Sequence, residues 1–249
     1  MCKPCESASK PTVNQRRNFL RLAGVGAGAL MLASALPTQL AHAASDSPPP
    51  KPENTLDPKH ALARLMAGNA RYVNGVTRRY DFLTEREALV DGQNPYAAVL
   101  GCADSRIAPE YAFDTARGDL FTIRVAGNFL TTDGLASLEY AVAVLGTPLI
   151  MVLGHDRCGA VSAGVKTLKD GVKFPGQIQG LADAIKPSVE KVVKQPGDLL
   201  DNAIAQNVKD TVARLKSESN LLSEALASGK LSIVGGLYRL DSGKVELVA

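Results

Sequence analysis

The chain has no tryptophan, and its 6 Phe and 6 Tyr bring the aromatic share of its 249 residues to only 5%. The stacking platforms of a single-stranded nucleic-acid binder are therefore missing. A surplus of charge is missing too: 28 Lys and Arg stand against 25 Asp and Glu, a formal net charge of +3, which is no basic field for a duplex. Four cysteines in this length exclude a disulfide-dense miniprotein. With 45% hydrophobic and 21% charged residues, the composition also excludes disorder and collagen and fits one globular domain, at most two.

What is present begins with a targeting segment. A weakly apolar run over residues 20–36, mostly Gly, Ala and Leu, falls at the short edge of a membrane-spanning helix. A basic stretch, Gln15-Arg16-Arg17-Asn18-Phe19-Leu20-Arg21, precedes it, and a small-residue cleavage signal, Ala41-His42-Ala43, follows it. The basic stretch resembles the twin-arginine signal that carries folded bacterial proteins across the inner membrane. Residues 1–43 are thus expected to be a signal peptide, absent from the working protein, and the destination implied is the periplasm. Losing Lys3, Lys10, Arg16, Arg17, Arg21 and Glu6 turns the charge from +3 to −1. Cys2 and Cys5 leave with the leader; their CxxC spacing is read as incidental, with a redox or metal site as the alternative.

Residues 44–57 read as a Pro-rich linker whose Ser-Pro-Pro-Pro-Lys-Pro core should be extended and unpacked. Folded structure is expected from residue 58, where Asp57-Pro58 opens an amphipathic helix with Leu62, Leu65, Met66 and Ala70 at helical spacing. A short helix is expected over 84–90. Apolar runs at 97–101, 120–125 and 149–154, with a helix over 135–145 between the last two, follow the βαβ pattern. Helices are expected over 177–194, 199–216 and 221–227, then a hairpin of 231–240 with 244–248 around Asp241-Ser242-Gly243. The fold class is therefore α/β: a mostly parallel central sheet flanked by helices, with a C-terminal hairpin strand and an N-terminal helical arm. In such a sheet the site gathers at the carboxyl ends of the strands.

Both strand ends so marked carry cysteine. Cys102-Ala103-Asp104-Ser105-Arg106 follows the first strand and His155-Asp156-Arg157-Cys158 the third. In an oxidising compartment two cysteines can simply be a disulfide. Two thiolates and an imidazole from neighbouring strand ends can equally supply three legs of a tetrahedral zinc site with a fourth position open. The disulfide reading explains neither His155 nor the Asp104/Arg106 pair.

These residues, CxDSR and HxxC separated by 53 positions, resemble the signatures of the beta-class carbonic anhydrases. The likeness continues through Gly118-Asp119-Leu120-Phe121, Arg124-Val125-Ala126-Gly127-Asn128, Ser137-Leu138-Glu139-Tyr140 and Cys158-Gly159-Ala160-Val161, and covers the chain from about residue 58, so that 58–249 form the catalytic domain. It implies reversible hydration of CO2 to bicarbonate by one Zn2+ per chain held by Cys102, His155 and Cys158. Asp104, held by Arg106, would orient the nucleophile; released from Arg106 it would rotate onto zinc as a fourth ligand and block water. The Gly159 N–H would donate to bicarbonate. Phe121, Ala126 and Tyr140 match the walls of the CO2 pocket, although the family's usual valine is here Ala126. Gln93 stands where one branch of the family places a glutamine that reaches substrate across a subunit interface, and a homodimer or tetramer is implied, with the first helix packing on the partner. His60 reads as a surface residue, with proton shuttling as an alternative. A hydrolase of COS or CS2 on the same fold shares every ligand. A non-catalytic zinc-binding or thiol-redox protein would have no use for the Asp104/Arg106 pair. Neither nucleic acid nor, once processed, stable membrane insertion is expected.

Overall fold

A computed structural model describes residues 49–249. The expected leader, with its arginine pair, cleavage signal, Cys2 and Cys5, lies outside the described residues, as does the start of the linker.

Five strands form one sheet in the order β2-β1-β3-β4-β5. These are β1 (Ala97–Gly101), β2 (Leu120–Arg124), β3 (Leu149–His155), β4 (Ser232–Tyr238) and β5 (Val245–Leu247). The first four run parallel and β5 returns antiparallel to β4. Every residue of β1 and β3 is buried, because the sheet is covered on both faces. Alternation along β1 sorts its side chains: Ala98 and Leu100 join one core, Ala97 and Val99 the other.

On the first face lie α4 (Thr132–Ala143), α5 (Gly159–Asp170), α6 (Ile178–Val192), α7 (Leu199–Ser217) and α8 (Asn220–Ala227). Side-chain caps start three of them, Thr131 on α4, Asp198 on α7 and Ser219 on α8. The α7 helix comes unusually close to the sheet. A Cβ on Gly154 or Gly235 would stand 2.5 or 2.6 Å from Val208 methyls, so only glycine permits this contact. On the second face lie α1 (Pro58–Val73), capped by Asp57 with Pro58 in its first turn, and the short α3 (Pro109–Ala112).

Two expectations need correction. The linker does not stay extended to residue 57: Pro52–Asn54 form a 3-10 turn and Asn54 is buried, because Lys51 and Asn54 find an acceptor in Asp119. The short helix expected over 84–90 is α2 (Phe82–Ala88), starting two residues earlier because Asp81 caps it through the amides of Leu83 and Thr84. The first helix buries Ala61 and Leu65 within its own chain, among Val99, Leu149 and Met151. What it leaves exposed is its far end, Tyr72 and Val73, continued by Val76, Phe82 and Leu83.

Candidate metal centre

The parallel pairing of β1 with β3 aligns Gly101 with Leu153, which brings Cys102, one residue past β1, beside His155, the last residue of β3. A tight turn with Arg157 at φ 54° then returns the chain to Cys158, at the start of α5. All three side chains are buried, and their ligand atoms lie within 4.8 Å of one another. The two sulfurs are 4.0 Å apart.

The imidazole is aimed as a ligand. Its Nδ1 lies 2.8 Å from the Asp156 carbonyl; donating there leaves the Nε2 lone pair facing the sulfurs. That Nε2 is buried with no hydrogen-bond partner among the described residues, an expensive state for a polar atom unless an ion completes it. Asp156 is fixed in turn, its amide donating to Tyr238 O at 3.2 Å and its carboxylate accepting from Leu240 N–H at 2.9 Å. The sulfurs are prepared as well. The Cys158 S–H, with the Gly127 N–H at 3.3 Å, favours the Cys102 thiolate and holds that thiol below its ordinary range. Cys158 is pushed up, because its S–H donates a hydrogen bond to the Cys102 sulfur and it is itself buried. A cation entering between the sulfurs would displace their protons. Two soft thiolates and one imidazole fit a borderline-soft ion such as zinc.

Asp104 sits at the mouth of this group. Arg106 grips it through both carboxylate oxygens, Nε to Oδ1 at 3.0 Å and Nη2 to Oδ2 at 2.7 Å, and the Arg106 amide adds a third bond at 2.9 Å. The guanidinium beside it holds the Asp104 carboxyl at about 2. Even so, Oδ2 stands 3.9 Å from His155 Nε2, so the carboxylate borders the volume that the ligands enclose.

Two residues without an assigned role in the sequence reading hold the loop. Arg124, paired in register with Gly101, donates to the carbonyls of Cys102 at 2.9 Å, Asp104 at 2.6 Å and Ile107 at 2.8 Å. The buried Asn207 donates from α7 to Gly127 O at 2.8 Å, fixing the turn whose amide meets the Cys102 sulfur. The first had a sequence signal, an arginine ending an apolar strand; the second had none.

Gly159 opens α5 directly after Cys158, exposed, and a Cβ there would meet nothing within 4 Å. Phe121 on β2 and Tyr140 on α4 pack against each other with ring centroids 6.4 Å apart, Tyr140 being 48% exposed; Ala126 lies in the turn before Gly127. Gln93 is not brought to this group. It is exposed at the amino end of β1, the opposite end from Cys102. His60 is also remote: it binds Asp57 at the start of α1, whose neighbours include Thr147 and Pro148 at the amino end of β3.

Comparison with known proteins places this geometry. A family model described as carbonic anhydrase matches residues 97–245. Carbonic anhydrase 2 of Mycobacterium tuberculosis is 40% identical over 77% of this chain and 93% of its own. A carbonic anhydrase of Mycolicibacterium smegmatis is 42% identical over the same shares. Among solved structures, the beta-carbonic anhydrase CcaA is 28% identical with a TM-score of 0.59, covering 76% of this chain and 98% of that one.

Proposed function

Because the chain belongs to the carbonic anhydrase family, and within it to the beta class, we propose that it is a zinc enzyme for the reversible hydration of CO2 to bicarbonate and a proton. The observation that carries the proposal is the buried Cys102, His155 and Cys158 cluster with an unpartnered Nε2, bordered by the Asp104–Arg106 pair. Bound there, zinc would supply the Lewis acidity that activates water near neutral pH. Asp104 is ionised and fixed, so it can accept a hydrogen bond from the attacking water and hold one oxygen lone pair toward CO2. Arg106 keeps that carboxylate turned from the ligands. The Gly159 N–H, at the positive end of α5, is free to donate to a product oxygen. Phe121, Ala126 and Tyr140 supply apolar surface for a substrate without charge.

Gln93 completes the site only from a second copy, since in its own chain it occupies the far end of β1. The half-exposed edge strand β2, with Tyr140 beside it, is apolar surface for such a partner to cover, and a homodimer or tetramer is proposed on that ground. The export reading extends the proposal: a zinc-loaded, folded enzyme crossing to the periplasm arrives with both thiolates already coordinated. Among the described residues no helix is long and apolar enough to cross a membrane.

Stopped-flow hydration of CO2 by the purified protein, with zinc measured in the same sample, tests the function. Turnover that scales with zinc content is expected. Zinc without CO2 turnover would overturn the enzyme reading, and faster hydrolysis of COS or CS2 than hydration would move the substrate. Arg16→Lys with Arg17→Lys should leave active precursor inside the cell; undiminished periplasmic activity would remove the twin-arginine reading.

A further inference from the structure

The turn that presents Gln93 has almost nothing of its own to hold it. Asp91, Gly92 and Gln93 are exposed, and among the described residues the backbone of residues 91–95 makes no backbone–backbone hydrogen bond. Its anchors come from residues 50–54, the supposed linker. The Asn94 side chain donates to Lys51 O at 2.7 Å. The Pro50 ring lies against Gly92, where a Cβ would stand 3.6 Å from Pro50 Cγ.

That segment is itself fastened with more than a linker needs. Lys51 is 11% exposed and its ammonium donates to Asp119 Oδ1 at 2.6 Å and to Arg117 O at 2.8 Å. Asn54 donates to the same Oδ1 at 3.1 Å and to Gly118 O at 3.3 Å. Asp119 also takes the Ala116 amide at 2.9 Å, and its own carbonyl accepts from Tyr96 N–H at 3.0 Å, just after the Gln93 turn. Residues 50–54 are therefore clamped between the start of β2 and the start of β1, with the turn pressed beneath them.

We propose that residues 50–54 are a positioning strap that fixes the Gly92-Gln93-Asn94 turn and so sets the orientation in which Gln93 is offered to a second copy's metal site. The catalytic half of this inference rests on the proposed role of Gln93; the mechanical half does not. Lysine suits the place because a long apolar stem crosses the groove while its head reaches a buried carboxylate. A polar turn held by one side-chain bond opens at low free-energy cost, so losing the strap should show as local opening and leave the core closed.

The test uses the zinc-loaded full chain. Lys51→Met leaves Asp119 its bonds to Asn54 and Ala116 and the nearby Arg64 at 3.6 Å, so the carboxylate is not orphaned; Asn94→Ala cuts the turn from the strap by another route. In both, hydrogen exchange of the bonded amides that flank the turn and close the strap, Tyr96 to Asp119 O and Asn54 to Lys51 O, should quicken by about tenfold or more, with β1 and β3 unchanged. At unaltered zinc content kcat should fall severalfold, and Lys51→Arg should restore both readouts. Unchanged exchange at Tyr96 and Asn54 in Lys51→Met would overturn the strap. Faster exchange with full kcat, in a protein where Gln93→Ala is impaired, would overturn the positioning role. A Gln93→Ala chain with normal turnover would instead overturn the role of Gln93, leaving the exchange result to decide the strap alone.

Discussion

Two aspartates at opposite ends of the same strand pair show how one interaction serves two purposes. Asp104 follows β1 at its carboxyl end and Asp119 precedes β2 at its amino end; each binds a cation and a backbone amide. At Asp119 the side chains are nearly dry, 5% exposed for the acid and 11% for Lys51; Oδ1 is occupied by Lys51 and Asn54 from a distant segment and Oδ2 by the nearby Ala116 amide. At Asp104 the acid is 17% exposed, Arg106 is 52% exposed, and the unpartnered His155 Nε2 stands 3.9 Å from Oδ2. The first pair closes a structure. The second holds a charge beside a buried imidazole nitrogen that no group among the described residues satisfies, which is the physical difference between a fastening and an active group.

Removing a metal ligand should break the carboxyl end most completely. Cys158→Ser replaces a soft thiolate with a hydroxyl that is not ionised near neutral pH, so zinc content should fall from about one per chain to near zero and activity should vanish with it. Metal analysis of the purified variant checks this. Full zinc occupancy there would mean that Cys102 and His155 bind with some other group.

Arg106→Ala should come next, with zinc retained and kcat/KM lowered on the order of a hundredfold. The pH profile separates two accounts of the arginine. If it served only to keep Asp104 ionised, the variant would regain full activity above about pH 5, because even an unassisted aspartate is ionised there. If it aims the carboxylate, the loss persists at every pH, and this is the expected outcome, since three bonds fix the geometry. Recovery above pH 5 would reduce the dyad to electrostatics.

These two sites differed as much in legibility as in role. The candidate metal ligands could be read because Cys102 and His155 fall directly after apolar runs, and a parallel sheet places such positions side by side. The strands β1, β2 and β3 were readable as apolar runs bounded by turn residues. The Asp119 cluster could not be read, because its partners Lys51 and Asn54 lie 68 and 65 residues away and no local pattern links a Pro-rich segment to a strand start. The start of α2 was misplaced because that helix buries no residue, so periodicity had nothing to mark, and the Asp81 cap alone sets its first turn. Asn207 was invisible for a similar reason: a polar residue inside a helix reads as solvated, and only the tertiary fold places it over Gly127.

At the amino end the expected damage is to stability. Asp119→Ala leaves Lys51 and Arg64 without their carboxylate, though each keeps a backbone carbonyl, and frees the Ala116 amide; breaking such a buried pair costs about 3 kcal/mol. For a domain of this size the melting temperature should drop by roughly 10 °C, while the zinc content of the folded fraction stays at about one per chain. Loss of zinc in the folded protein would show that the two ends are not separable in the way their geometry suggests.

The smallest effect should be the most discriminating, because its two readouts move in opposite directions. Gly159 has no left-handed φ and a Cβ there would meet nothing within 4 Å, so neither backbone strain nor packing requires glycine. At the first position of α5, alanine restricts the unfolded chain and favours the helix, and Gly159→Ala should stabilise the protein by about 0.5 kcal/mol. If the bare N–H is instead kept open for an anion, the new methyl crowds the approach to the amide beside Cys158. The constant for bicarbonate in the dehydration direction should then rise severalfold, with zinc content unchanged. A stabilised variant with unaltered bicarbonate kinetics would mean that the amide plays no part in binding. A destabilised one would mean that a neighbour not present in the single chain, such as a second copy, packs against this position.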